Sequence, residues 1–324
     1  MKSDVKLFCL VGLPASGKST YAKELSEQYN AKVHSSDALR EELFGDVNAV
    51  SKENNDILFT ELYKRVKKDL RNGNNVVYDA TNVNKKNRLA FLKFINGVEC
   101  EKICVLVALP YHLCLTRNLQ REKSVPADVI ERMYKHFQPP NEKEGWDSFS
   151  IYVNCEESDI FAYSTSVLFN NASGIDYFHQ ESQHHKDTLG LHSRKVADLM
   201  YEAKKELEYT ALIHDVGKIF TKTRTNSHGV EDGDCHYYGH NCVGAYESLF
   251  YFLNDTDYEA DAIIYHMNLI YYHMVPYNDG WNDTESKIRR LKAQLGEELY
   301  EDVVLLNKCD REAHEEYHDL QDYC

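Results

Sequence analysis

Two fold classes succeed each other along this chain: an α/β half, a parallel sheet with flanking helices, and then an all-α half. Short apolar runs at 6–11, 31–35, 75–78 and 103–109 alternate with helical periodicity at 18–29, 57–66 and 88–95. Such alternation is the pattern of βα units in a parallel sheet. From about residue 187 the strand signals fade, and amphipathic stretches follow at 188–207, 209–220, 241–253, 258–273, 284–295 and 297–314. Charge divides at nearly the same place. Residues 1–153 hold 23 Lys and Arg against 20 Asp and Glu, the remainder holds 14 against 32, and 12 of the 15 histidines lie after residue 153. A mildly basic half followed by an acidic, histidine-rich one points to phosphate handling first and metal chemistry second. Solvated acidic helices with incidental histidines would give the same composition, so positions must decide.

The expected organisation is a first domain over 1–153, a linker over 154–175 and a second domain over 176–324, a length that suits two cores. The 43% hydrophobic and 27% charged residues describe a globular protein. The longest apolar runs are core-sized, far below a membrane span. MKSDVKLFCLVG leads straight into a glycine motif, without the apolar region of a signal peptide. Nine cysteines, an odd number without CxxC pairs, suit reduced thiols better than a disulfide framework. The expected location is cytoplasmic.

Residues 12–20, GLPASGKST, fit G-x-x-x-x-G-K-[ST] between an apolar strand and a helix. Gly12 and Gly17 let backbone N–H groups turn toward phosphates, and the helix from Lys18 directs its positive end at them. Ser16, Gly17, Lys18, Ser19 and Thr20 form the expected nucleotide cradle. In it Lys18 bridges the β- and γ-phosphates and Ser19 ligates Mg²⁺. The next strand ends at His34-Ser35-Ser36-Asp37, with Arg40 one helical turn on. Strand ends of a parallel sheet open at one edge, so Asp37 can reach an acceptor hydroxyl as general base, with Arg40 on a phosphate. Asp37 reads equally well as a helix cap. Asp79, ending the strand 75–78, suits a Mg²⁺-bound water or an ordinary turn. Arg117 and Arg121, at i and i+4, share one helix face, as a lid over a triphosphate or a solvated basic face would.

GLPASGKST, SSDALR, DATN and LTRNLQREKSVPADVIERMYKHFQPP together resemble the polynucleotide 5′-kinase family over about residues 5–150. The lid segment is the most specific of the four. The resemblance implies ATP with Mg²⁺, Asp37 as general base for a polynucleotide 5′-OH, Arg40 near the acceptor's phosphate, and Arg117 and Arg121 around the donor phosphates. P-loop kinases of small molecules or proteins share the first two motifs.

In the second half His192, the doublet His214-Asp215 and Asp310 each interrupt an apolar helical stretch. A carboxylate in such surroundings calls for compensation, which a divalent cation supplies. Imidazole with carboxylate suits Mn, Fe, Co, Ni or Zn. His240 and His266 are candidates for a second ion. The segments HHKDTLGLHSRKVADLM, ALIHDVGK, HYYGHNCVGA, IIYHM and LLNKCDREAH resemble the HD phosphohydrolase superfamily over roughly residues 176–324. They look most like the HD domain appended to some bacterial tRNA nucleotidyltransferases. That resemblance implies His192, His214, Asp215 and Asp310 on a principal metal, His240 and His266 on a second metal or the phosphate, and Lys218 on the scissile phosphate.

The combined expectation is a bifunctional end-healing enzyme acting on nucleic-acid ends, RNA above all. It would phosphorylate 5′-OH ends, remove 2′-, 3′- or 2′,3′-cyclic phosphate, and work beside a separate ligase. Two rivals stand next to it. One is a small-molecule or nucleoside kinase fused to an HD nucleotidase, the other an NTP switch with a ligand-sensing HD module.

Overall fold

A computed structural model describes residues 4–165, 174–181, 187–277 and 285–319, with side chains described to residue 314. The chain divides into two compact units, Met1–Tyr134 with Glu144–Cys155, and Lys135–Lys143 with Glu156–Cys324.

The first unit is the expected parallel α/β layer structure. Strands β1 (Lys6–Val11), β2 (Lys32–Ser35), β3 (Val76–Asp79), β4 (Glu101–Ala108) and β5 (Ser148–Val153) stand in the order β2-β3-β1-β4-β5. Every neighbouring pair is parallel. The connections are α1 (Lys18–Tyr29), α2 (Ser36–Phe44), α3 (Lys52–Arg71), α4 (Lys85–Phe94), α5 (Tyr111–Leu119) and α6 (Ala127–Lys135). β1, β3 and the end of β4 are apolar runs because helices cover them, and Leu7, Leu10, Val77 and Leu106 are fully buried. β5 was not expected from sequence. Its SFSIYV alternates and is only half-buried, as an edge strand paired on one side should be.

A fully buried ion pair braces this unit. Arg88 on α4 donates from Nε and Nη2 to the Glu144 carboxylate at 2.8 and 2.7 Å, and from Nη1 to the Asn82 carbonyl at 2.9 Å. Both side chains are excluded from water. Glu144→Ala leaves a buried guanidinium without its carboxylate. It should cost about 3–5 kcal/mol of stability, read from urea unfolding of the purified chain.

The second unit is helical. It contains α7 (Glu157–Tyr163), α8 (Leu189–Lys204), α9 (Glu208–Ile213), α10 (Lys218–Thr221), α11 (His240–Asp255), α12 (Ala260–Tyr272), α13 (Glu285–Leu295) and α14 (Glu297–Asp319). Val196, Met200, Ala211, Leu269, Leu299, Val303 and Leu306 join α8, α9, α12 and α14 in one core. Three features depart from the sequence reading. An antiparallel ribbon, β6 (Thr223–Thr225) with β7 (Glu231–His236), interrupts the helices. Its residues TRT and EDGDCH carry almost no apolar signal, so the pairing rests on the backbone. Second, the stretch 209–220 is two helices parted at His214–Gly217. A Cβ on Gly217 would lie 1.9 Å from the His240 carbonyl oxygen, so Gly217 is what lets that turn pack against α11. Third, Lys135–Lys143 clusters with this unit, where Asn268 Nδ2 donates to the Pro140 carbonyl at 2.7 Å. Part of the expected linker is ordered as α7, and its residues 166–173 lie outside the described residues.

Candidate functional site

Chemistry-bearing residues gather at two places, one in each unit. In the first, the parallel register sets Ser35 at the end of β2 opposite Asp79 at the end of β3. The loop after β1 joins them, since the Gly12 N–H donates to the Thr81 carbonyl at 2.9 Å. Asn82, in the left-handed region at φ 49°, donates from Nδ2 to the Leu10 carbonyl at 2.8 Å. The DATN segment is therefore a scaffold of the phosphate loop as well as the carrier of Asp79.

Helix α1 begins after Gly17, in the left-handed region at φ 101°, and no side chain caps it. Its first N–H groups and its dipole remain available for an anion. Lys18 is buried and donates to the Leu13 carbonyl at 2.6 Å, curling its ammonium over the loop. Burial lowers its pKa, while the carboxylates of Asp79 and Asp37 work to raise it and Arg121 to lower it. All four charges thus share one electrostatic neighbourhood. Ser19 Oγ donates to Asp79 Oδ2 at 2.8 Å. A hydroxyl and a buried carboxylate at that spacing are the pair that holds Mg²⁺ in P-loop enzymes, so the residues fit the ion. Burial raises the Asp79 pKa, and Lys18 opposes that shift.

Ser35, not Asp37, is the cap residue of α2, and no side chain makes the cap bond. Asp37 lies in the first turn, exposed at the sheet edge beside Lys18 and Asp79. Arg40 is buried and its Nη1 donates to Asn55 Oδ1 at 2.9 Å, so α3 sets its direction. Arg117 Nη2 donates to the Asn154 carbonyl at 2.8 Å, and Asn154 Nδ2 donates to the Ser16 carbonyl at 2.9 Å. Arg117 is thereby tied to the phosphate loop, whereas Arg121 is exposed. Sequence reasoning missed Asn154, because its role depends on the unrecognised strand β5 that delivers it.

Asn154 also explains Gly17. A Cβ there would stand 1.7 Å from Asn154 Nδ2, on a backbone that L side chains avoid. Gly17→Ala should weaken nucleotide binding by at least about tenfold, roughly 1.4 kcal/mol, in calorimetric titration. Unchanged affinity would mean that the loop tolerates a displaced Asn154.

In the second unit two groups of ligand-type residues converge, His192 with His214 and Asp310, and Asp215 with His240 and His273. All are buried. His192 Nε2 lies 3.0 Å and His214 Nε2 3.7 Å from Asp310 Oδ1. Asp215 turns Oδ2 toward His214 Nε2 at 3.4 Å and Oδ1 toward His240 and His273 Nε2 at 3.3 and 3.5 Å. The Nδ1 atoms of His214, His240 and His273 reach the carbonyls of Ala211, Tyr237 and Ile270 at 2.7, 2.8 and 2.5 Å. A carbonyl can only accept, so each Nδ1 carries the proton. In the neutral ring Nε2 then presents a lone pair, the state in which imidazole binds a metal.

The consequence is pointed between His240 and His273, whose Nε2 atoms lie 3.3 Å apart with Asp215 Oδ1 beside them. Lone pairs and a carboxylate facing one another in a buried space call for a cation, and this donor set fits a divalent transition metal. Burial alone would lower the His214 pKa, but Asp215 and Asp310 hold it up to about 10. A metal at that place would take over from the proton. Burial works to raise the Asp215 carboxyl, yet Lys218 and His214 keep it well below the usual range. His192 and His214 do the same for Asp310.

His266, expected at a second metal, stands elsewhere. Its Nδ1 lies 2.5 Å from Thr210 Oγ1, and its ring stacks on Tyr258 with centroids 4.7 Å apart. Burial lowers its pKa to about 4. His273, rather than His266, lies with Asp215 and His240. His273 caps the end of α12, seven residues and about 10 Å along the axis from His266, and it is His273 that reaches Asp215. His314, one turn beyond Asp310, was also missed. It stacks on His192 at 4.4 Å, with Nε2 3.7 Å from Asp310 Oδ1. Lys218 Nζ pairs with Asp215 Oδ2 at 2.6 Å. His184 and His185 of the HHKDTLGLH segment lie outside the described residues.

Residues 7–140 match the family model described as an AAA domain. Over these residues the first unit is similar to P-loop kinase domains. The chain is similar to the L-seryl-tRNA(Sec) kinase of Methanococcus maripaludis, 29% identical over 152 residues, 47% of this chain and 60% of that protein. It is similar to protein kti12 of Schizosaccharomyces pombe, 26% identical over 181 residues, 51% of this chain and 63% of that protein. The chain thus spans about three-fifths of the length of these curated relatives. Among solved structures it is similar to a chain of the Pnkp1/Rnl/Hen1 RNA repair complex, with 25% identity, 41% of this chain and 43% of that chain covered, and a TM-score of 0.37. No helix among the described residues is long and apolar enough to cross a membrane.

Proposed function

We propose that the chain heals nucleic-acid ends with two activities. The first unit phosphorylates a 5′-OH end with ATP. The second, an HD-type phosphohydrolase, removes a 2′-, 3′- or 2′,3′-cyclic phosphate. The observation that carries the reading is the Asp215 carboxylate, turned by one oxygen toward His214 and by the other toward His240 and His273. A phosphotransferase has no need of such a centre, whereas metal-assisted hydrolysis of a phosphoester uses one. One curated relative is by name a kinase of L-seryl-tRNA(Sec), which supports RNA as the acceptor's class.

In the kinase half Lys18 and the α1 N-terminus neutralise the donor phosphates, and Arg117 and Arg121 close over them. Ser19 and Asp79 would hold Mg²⁺, which when bound offsets charge on the triphosphate. The exposed Asp37 takes the proton of the attacking hydroxyl as its oxygen bonds to the γ-phosphorus and the bond to the nucleoside diphosphate breaks. Arg40 orients the acceptor's adjacent phosphate. In the hydrolase half His192, His214, Asp215 and Asp310 would hold one ion, and Asp215, His240 and His273 a second. Bound metal supplies Lewis acidity and an activated water. Lys218 meets the scissile phosphate. The products, a 5′-phosphate and a free hydroxyl end, are what a separate ligase requires.

The test is a substrate panel in which 5′-OH RNA and DNA oligonucleotides are labelled beside free nucleosides, and phosphate-ended oligonucleotides are hydrolysed with Mn²⁺ or Ni²⁺. Transfer to oligonucleotides supports the reading. Transfer to nucleosides alone replaces it with a nucleotide-metabolism enzyme.

A further inference from the structure

Gln180 is 1% exposed in the segment that precedes α8, and the proposed mechanism gives it no task. Its Oε1 accepts a hydrogen bond from Lys218 Nζ at 3.0 Å. Its backbone carbonyl accepts from the Tyr237 hydroxyl, and the Tyr237 ring lies 5.8 Å from the same ammonium. The other end of the amide, Nε2, is buried and makes no hydrogen bond among the described residues. Orphaned buried N–H groups are uncommon, because desolvation without a partner is unfavourable, and each calls for an explanation.

The surroundings supply one. Lys218 Nζ now lies 2.6 Å from Asp215 Oδ2, the oxygen that also faces His214. A divalent ion on that oxygen would repel the ammonium. Gln180 Oε1 would then be its remaining neutral anchor, holding it at the rim of the metal group. The amide that holds Lys218 by its oxygen carries two N–H donors on its nitrogen. Ammonium and amide thus make a fork of donors next to the site where the proposed hydrolysis places a phosphoryl group.

We infer that Gln180 is a phosphate-binding residue of the second unit, its Nε2 donating to a non-bridging phosphoryl oxygen while its Oε1 holds Lys218 toward the same group. This rests on the phosphohydrolase reading of that unit. It adds a neutral donor, with Tyr237 as the residue that fixes its backbone.

Gln180→Glu separates the two ends of the amide. The carboxylate keeps the shape and still accepts from Lys218, but it removes the donor and sets negative charge against phosphate. The probe is inorganic phosphate, titrated calorimetrically into the manganese-loaded full chain, with metal content measured alongside. Gln180→Glu should weaken phosphate binding more than tenfold and raise KM for a 3′-phosphate-ended oligonucleotide, with metal content and melting temperature unchanged. Gln180→Asn, which withdraws both ends of the amide by one methylene, should fall between the two. Phosphate affinity in Gln180→Glu equal to wild type would overturn the inference alone. A metal-loaded wild type that neither binds phosphate nor hydrolyses phosphoesters would overturn the hydrolase reading and this inference with it.

Discussion

Asp37→Asn should lower phosphoryl transfer by about 10²–10⁴-fold, the usual scale of a general base, with nucleotide affinity and phosphate hydrolysis unchanged. Asp37 follows Ser35 by two residues, and Ser35 pairs in register with Asp79. The sheet therefore brings Asp37 to the same edge as the phosphate loop. Its carboxylate is exposed, and no cap bond commits it to α2. Asparagine keeps size and polarity but cannot take a proton at neutral pH, so a binding role and a chemical role separate in one variant. Single-turnover transfer from labelled ATP to an oligonucleotide is the measurement. A residual rate above about a tenth of wild type would reduce Asp37 to a local structural residue.

Asp215→Ala should abolish hydrolysis and strip bound transition metal while sparing phosphoryl transfer. Among the described residues Asp215 is the one carboxylate that faces both histidine groups, through Oδ2 and Oδ1 respectively. Its loss leaves His192, His214 and Asp310 on one side and two imidazoles on the other. It also leaves Lys218 beside uncompensated histidines, since the 2.6 Å ion pair goes with the carboxylate. Elemental analysis of purified protein gives the metal content, and circular dichroism shows whether the helices persist without it. A variant that keeps both metal and hydrolysis would remove Asp215 from the centre.

The α/β half was legible because its signals are local. Buried strands read as apolar runs, the glycine loop has a fixed spacing, and Lys18, Ser19 and Asp79 follow from their places around it. β5 was not legible, since an edge strand with one covered face reads weakly. Asn154, delivered by its end to the Ser16 carbonyl, was lost with it. In the helical half the ligand types were readable, but not which member of a stripe would arrive. His266 in α12 and His273 at its cap stand seven residues apart, and helical period cannot choose between them. Tertiary packing does, by setting His273 opposite His240. His314 carried a usable signal, the i+4 spacing from Asp310. Gln180 carried none, because its tie to Lys218 spans 38 residues and depends on how the segment before α8 folds back.

A chain that prepares both ends of a broken RNA must act on each end of the same molecule. The most direct measurement is mass spectrometry of a single RNA oligonucleotide bearing a 5′-OH and a 2′,3′-cyclic phosphate, incubated with the chain, Mg²⁺, a transition metal, and ATP or none. With ATP, the product should carry a 5′-phosphate and have lost its terminal phosphate. Without ATP, only the terminal phosphate should change. An oligonucleotide that leaves the incubation with ATP with either end unchanged would contradict this.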